Sequence, residues 1–404
     1  MSALEALETL PEAEQAYGAD DPGTGELARY GYRTEEFLIH GRAGGGQFTT
    51  RLLVRRPGGE ASGVAVLEPM HLAGGRPVWR ACHDYLLRNR HTWAEVACQT
   101  TPAHAMARWQ PDRYRAVDLP GHPSTMSATD GTGTGLRERS DRFARQWWDT
   151  SPALTGIVSA AIESLRPFAR TVVLTGSSQS GGVVRRYADA HACGAAPALA
   201  APDGFLPLNS GGRALRRLSL PTVELIAEAD LEAVRSAAGL PGQGRGIEHR
   251  AGDPAHYVVY EVPGMSHVDS RYRPPVASPP PGSRWSRFPH THVVHAVMDA
   301  LVAWARDGTP PPPSRHIETE SGDCVRDRYG HATGGLRTPA VELPPARLRV
   351  ISPGAQWTCG HEYPLAARRD LGAAGDLLDH LVEQRLYLPR DAARWIEETR
   401  REPE

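Results

Sequence analysis

Lysine is missing from all 404 residues, so each of the 45 basic side chains other than histidine is an arginine. The bias runs the whole length of the chain and reflects genome composition rather than chemistry. An excess of charge of either sign is also missing. With 47 acidic groups opposing the basic ones, the net charge is -2, which argues against a polyanion partner and excludes nucleic-acid binding as a first reading. No run of about 18 apolar residues is present to cross a bilayer. The opening MSALEALETLPEAEQ lacks the basic start and apolar core of a targeting peptide. A cytoplasmic protein with no membrane partner is expected. Cysteines number five (Cys82, Cys98, Cys193, Cys324 and Cys359) with no CxxC pair, so neither a disulfide framework nor a zinc knuckle is expected.

What is present is a chain with 40% apolar residues, long enough to bury a large core. Residues 1–28 are polar and acidic. YRTEEFLIHG and FTTRLLVRR, joined across Gly44-Gly45-Gly46, read as an antiparallel hairpin. The run Gly63–Leu67, a helix over 77–90 and a second run, Thr92–Ala97, then make a strand-helix-strand unit, the signature of a parallel sheet. A helix over 151–168 leads to the strand Thr171–Thr175 and a helix-like VVRRYADAHA. Further strands are expected at Phe205–Leu208, Thr222–Ala227 and Tyr257–Val262. The alternation predicts a mostly parallel, doubly wound α/β sheet. A helix at 291–307 lies between Pro-rich stretches, and 314–404 reads as an irregular segment followed by helices near 372–385 and 389–400. The expected organisation is an N-terminal segment 1–28, one core over 29–313 with candidate lids at 119–150 and 270–290, and a C-terminal extension over 314–404.

The chemistry centres on Gly176-Ser177-Ser178-Gln179-Ser180-Gly181, between a strand and a helix. A serine hydroxyl is a weak nucleophile. It needs exposure on a tight turn, a neighbouring histidine and amide N–H groups facing the developing oxyanion. The run matches the nucleophile elbow G-x-S-x-G, except that Ser180 stands where the second glycine normally sits. A plain helix entry capped by serine, or a phosphate-binding turn, competes with this reading. No G-x-G-x-x-G or Gly-Lys-[Ser/Thr] sequence supports a nucleotide.

Two later strands end in the remaining residue types. VELIA runs into Glu228-Ala229-Asp230, and YVVYEV into Pro263-Gly264-Met265-Ser266-His267. His267 is the candidate general base. Asp230 is favoured over Glu228 as the acid that orients it, with Glu228 kept as the alternative. The oxyanion donors expected are the Gln179 N–H and a second N–H in the loop Glu68-Pro69-Met70-His71. Pro69 has none, so Met70 or His71 is the candidate, with Glu68 beside them. His104, His191, His249 and His256 have no such placement. His290, His292 and His295 resemble metal spacing, but no carboxylate or cysteine partner completes a ligand set, so no metal is expected. Trp79, Trp93 and Trp147-Trp148 could line an acyl pocket, although aromatics near a sheet are more often core.

The segments VAVLEPMHLAGG, HDYLLRNRHTWAEVACQ, GSSQSGGVVRRY, VELIAEADL, YEVPGMSHVD, LVAWARDGTPPPPS and RYGHATGGLRTPAVELP together resemble the bacterial alpha/beta hydrolase domain proteins. That resemblance implies an α/β-hydrolase fold in which Ser178 and His267 are catalytic and two acidic positions, Glu228 and Asp230, follow the acid strand. No cofactor is expected. The expected function is a serine hydrolase cleaving an ester, lactone or thioester of a small acyl substrate. Alternatives are an acyltransferase or amide- or lactone-opening enzyme of secondary metabolism with the same triad, and a non-catalytic ligand-binding homologue. Oligomeric state is not legible.

Overall fold

The computed structural model describes residues 3–12, 16–17, 23–72, 75–120, 152–193, 199–211, 215, 218–236, 247–251, 255–271, 278–344, 346–351, 359–365 and 370–401. The candidate lid over 119–150 and the Trp147-Trp148 pair fall almost wholly outside these, as does the middle of the second candidate lid. The chain divides into two compact units, Met1–Trp79 with Leu86–Pro202 and Arg80–Tyr85 with Asp203–Glu404.

The first unit carries strands β1 (Leu4–Thr9), β2 (Tyr32–Ala43), β3 (Gly46–Pro57), β4 (Val64–Pro69), β5 (Thr92–Val96) and β6 (Thr171–Ser177) in the spatial order β1-β2-β3-β5-β4-β6. The predicted hairpin is β2 and β3, paired antiparallel from Tyr32 opposite Pro57 to Ala43 opposite Gly46. β4 pairs parallel with both β5 and β6, and all six of its residues are buried, as its unbroken apolar run requires for a strand covered on both faces. One element departs from expectation. Residues 4–9, read as a polar segment, form an edge strand on β2. Five of its six positions are exposed, so no alternation marked it as a strand.

Helices α1 (Pro77–Arg88), α2 (Thr100–Trp109), α3 (Pro152–Leu165) and α4 (Gln179–Ala192) follow, with α1 shared between the two units. Trp79 and Trp93 are fully buried, with ring centroids 5.0 Å apart. The Arg55 guanidinium lies 4.3 Å and 5.0 Å from those rings, a cation–π arrangement. The two tryptophans are core, not pocket lining.

In the second unit β7 (Gly204–Leu208), β8 (Thr222–Ala227) and β9 (Tyr257–Val262) pair in parallel in that order. With them come α5 (Glu228–Ser236), α6 (His290–Asp307), α7 (Leu371–Glu383) and α8 (Pro389–Arg401). The segment expected to be irregular also holds short strands. Ala346–Arg349 pairs antiparallel with His361–Pro364, and Arg284–Trp285, from the second candidate lid, pairs antiparallel on its other side. Strands of two to four residues are too short for a periodicity to show.

Two buried pairs tie α6 to the C-terminal region, one to the α7–α8 connection and one to α8. His292 Nδ1 accepts from the Tyr387 hydroxyl at 2.7 Å, and His295 Nδ1 meets Asp391 Oδ2 at 2.9 Å. Burial pushes the His292 imidazole down to about 3. An unfolded histidine titrates near ~6.5, so the folded state binds fewer protons between the two values. The stability contributed by the neutral ring is complete above ~6.5 and is lost as pH falls through that window. Between pH 7 and pH 5 the group should cost the fold about 2 kcal/mol. In His292→Asn, which keeps an acceptor for Tyr387 but cannot titrate, urea unfolding should lose correspondingly less stability over the same interval. An unchanged loss would contradict the assignment.

Candidate functional site

β6 ends at Ser177 and α4 begins at Gln179, so the chain must reverse within the single residue Ser178. It does so at φ 57° and ψ -121°, outside the regions L-residues ordinarily occupy and costly to hold, of order 1–3 kcal/mol. Gly176 is obligatory here, because a Cβ at that position would lie 2.4 Å from the Ser180 carbonyl oxygen. Ser180, the residue in place of the second glycine, is buried and clasps the turn. Its hydroxyl donates to the Ser177 carbonyl at 2.9 Å and accepts the Ser177 N–H at 3.0 Å. α4 starts with Ser178 O accepting from Gly182 N–H at 3.0 Å, and its first-turn amides have no acceptor within the helix. They lend the partial positive charge of a helix N-terminus.

The loops beside the elbow are held by side chains. Gln179 is buried, and its Oε1 accepts from Leu72 N–H and from Gln99 Nε2, each at 3.1 Å. Its Nε2 in turn donates to Gln99 Oε1. Gln99 Nε2 also reaches the Met70 carbonyl at 3.0 Å. The Met70 N–H is committed to the Val96 carbonyl at 2.9 Å, which takes it off the pair of expected oxyanion donors and leaves His71. Glu68 has its hydrogen-bond partners elsewhere. It is fully buried and accepts from Val78 N–H at 2.8 Å, Trp79 N–H at 3.0 Å and Trp93 Nε1 at 3.1 Å. A carboxyl group at the start of α1 accepts from amides that have no helical partner. Burial raises its carboxyl to about 8, against the pull of the Val78 and Trp79 amides. Glu68 is thus a helix-capping residue, not a substrate-facing one.

In the second unit His267 Nδ1 lies 2.6 Å from Asp230 Oδ1, both side chains being buried. An ionised carboxylate can only accept, so Nδ1 carries the proton and Nε2 presents a lone pair. Asp230 sits in the first turn of α5, where the helix dipole favours negative charge. Its Oδ2 is buried with no hydrogen-bond partner among the described residues. Glu228 has other partners. Oε2 accepts from Gly264 N–H at 2.7 Å and Oε1 from Arg326 Nη1 at 2.7 Å. Gly264 has φ 76°, and a Cβ there would meet Val341 Cγ1 at 2.6 Å. Glu228 therefore fixes the turn that leads to His267 rather than the histidine itself.

Three residues that sequence reasoning missed hold the same loop. Asn209, at φ 47°, donates from Nδ2 to the His267 carbonyl at 3.3 Å and accepts from Ala227 N–H at 3.1 Å. His290 Nε2 lies 2.8 Å from the Ser266 carbonyl. Arg326 is the third, through Glu228. The Asn209-Ser210-Gly211 turn after β7 was the available signal for the first, and the other two gave none. His249 pairs with Glu261 at 2.6 Å, His256 offers its carbonyl to Thr222 N–H at 2.9 Å, and His104 is exposed. The three-histidine run is dispersed among different partners. Carboxylates do approach His295, however, since Asp84 and Asp391 lie close to it. Arg390 and Arg394, 4.0 Å and 3.9 Å from Asp84, offset that charge. No helix among the described residues is long and apolar enough to cross a membrane.

A family model described as "Alpha/beta hydrolase domain" matches residues 7–381. Among solved structures the chain is similar to acetyl xylan esterase 1 from Thermoanaerobacterium sp. JW/SL YS485, at 11% identity and TM-score 0.29 over 57% of this chain and 55% of that one. It is also similar to a putative dienelactone hydrolase from Klebsiella pneumoniae subsp. pneumoniae MGH 78578, at 12% identity and TM-score 0.34, covering 64% and 92% of the two chains. A third is an α/β serine hydrolase without lid from Xanthomonas campestris, at 14% identity and TM-score 0.31, covering 66% and 92%. The chain thus spans about half the length of the acetyl xylan esterase it matches, 55%. No curated protein matches it. With the family match running over nearly all of the elements just described, the chain belongs to the alpha/beta hydrolase domain family.

Proposed function

We propose that the protein is a serine hydrolase that cleaves a carboxylic ester, lactone or thioester of a small molecule through an acyl-enzyme on Ser178. The observation that carries the reading is the Ser178 backbone at φ 57°, ψ -121° between β6 and α4. A strained conformation at the one residue whose hydroxyl the chemistry needs is hard to account for as a mere helix entry, which ordinary backbone angles would serve.

The Ser178 hydroxyl attacks the acyl carbonyl while His267 Nε2 takes its proton. Asp230 keeps Nδ1 protonated and stabilises the imidazolium that forms. The negative oxygen of the tetrahedral intermediate is received by the Gln179 N–H at the start of α4 and, we propose, by the His71 N–H. His267 returns the proton to the leaving alcohol or thiol. Water, deprotonated by the same imidazole, then releases the acid and restores Ser178. A cytoplasmic enzyme of small-molecule metabolism fits this reading.

Purified protein should hydrolyse members of a panel of short- and medium-chain acyl esters with release of free acid, even when a competing alcohol or amine is supplied. Transfer of most of the acyl group to the added nucleophile would overturn hydrolysis as the reaction. No turnover of any ester would count against the serine hydrolase reading itself.

A further inference from the structure

Gln99 and Gln179 stand 80 residues apart in the chain and are 1% and 2% exposed. Their amides pair reciprocally, each donating to the other's oxygen. Two primary amides buried together are directional, because swapping oxygen for nitrogen on either one sets donor against donor. The outer contacts fix the orientation. Gln179 Oε1 must be an oxygen to accept Leu72 N–H, and Gln99 Nε2 must be a nitrogen to donate to the Met70 carbonyl. Met70 is held a second time by its N–H on Val96. His71, half-buried between Met70 and Leu72, is therefore bracketed on both sides by groups tied to the residue that follows Ser178.

From this arrangement we infer that the Gln99–Gln179 pair is a positioning device. It holds the His71 peptide in register with the Gln179 peptide, so that two N–H groups converge on one oxyanion. The inference rests on Ser178 being the nucleophile. Gln99 touches no reacting atom and acts only through the loop it holds. Gln179 has two separate roles: its backbone N–H receives the oxyanion, and its side chain sets where the second donor stands. Oxyanion donors act on the transition state and not on the bound ester. Loosening the pair therefore lowers kcat and leaves KM nearly unchanged. Both side chains serve one interaction, so removing either forfeits the whole of it.

The test is a double-mutant cycle on p-nitrophenyl ester hydrolysis with Gln99→Met, Gln179→Met and the double variant. Methionine approximates glutamine in length but cannot form the amide bonds. Each single variant should lower kcat by about 10- to 100-fold, with KM within about threefold of wild type, and the double variant should be no slower than the slower single. Losses that multiply in the double variant, an unchanged kcat, or a change confined to KM would overturn the inference. Should a methionine variant melt below the assay temperature, Gln99→Leu takes its place. It is of similar size, buries no charge, deletes both Nε2 donations and carries the same expected result. Ser178→Ala, measured alongside, separates the two claims. Turnover that survives it sinks the serine hydrolase reading, whereas a dead Ser178→Ala with fully active glutamine variants sinks only the positioning role.

Discussion

Ser178→Ala is expected to lower ester turnover by at least about 10⁴-fold, the scale on which nucleophile removal acts in enzymes of this mechanism. The substitution is unusually clean on physical grounds. Alanine has the same Cβ as serine, so it meets the same steric cost at φ 57°, and it deletes one hydroxyl. The turn keeps its other supports, the Ser180 clasp on Ser177 and the Gly176 backbone packed against Ser180. The melting temperature should therefore stay within a few degrees of wild type, and lost activity cannot be ascribed to lost fold. Residual turnover from binding and oxyanion donors alone should persist at a low level. A variant within tenfold of wild type would mean that another group attacks the substrate.

Asp230→Asn and Glu228→Gln, at two carboxylates separated by the single residue Ala229, should behave differently. Asp230 faces His267 Nδ1 at 2.6 Å. An asparagine there can turn its NH₂ toward the ring and stabilise the tautomer with the proton on Nε2, which cannot act as a base toward Ser178. The expected loss in kcat is about 10⁴-fold. Glu228 instead holds Gly264 N–H and Arg326. Glutamine preserves the acceptor for Gly264 but opposes its NH₂ to the guanidinium. Because Arg326 is 34% exposed, solvent screens much of the lost pairing, and the stability cost should be about 1 kcal/mol. The predicted phenotype is a lower melting temperature with kcat within about tenfold of wild type. Steady-state kinetics and thermal melts on the two variants decide the matter. Equal losses in kcat would reopen the choice of acid, and the reverse order would give the role to Glu228.

The sequence disclosed those features that are local in the chain. β6, the bend at Ser178 and α4 form one unbroken stretch of residues, and the glycine and serines at the bend are there for steric reasons that can be read without coordinates. The β2–β3 hairpin, the buried β4 run and the helix over 290–307 follow from alternation, apolar runs and helical spacing in the same way. What stayed hidden was pairwise and long-range. Gln99 is an ordinary polar residue until the fold brings it to Gln179, and Arg326 reaches Glu228 from 98 residues away. His295 likewise meets Asp391 across 96 residues, so the carboxylate missing from the local sequence is supplied from far down the chain. Glu68 shows the converse error. A carboxyl group at the end of the strand that leads into the candidate oxyanion loop looked like part of the site, whereas its geometry serves the first turn of α1. Sequence shows that an acid is present but not which way it points.

The most direct measurement is mass-spectrometric mapping of the adduct formed when the wild-type protein is treated with a fluorophosphonate. The account predicts one phosphonyl group, carried by the peptide containing Ser178, and no labelling of Ser178→Ala under the same conditions. An adduct on any other residue, or equal labelling of the two proteins, would contradict it.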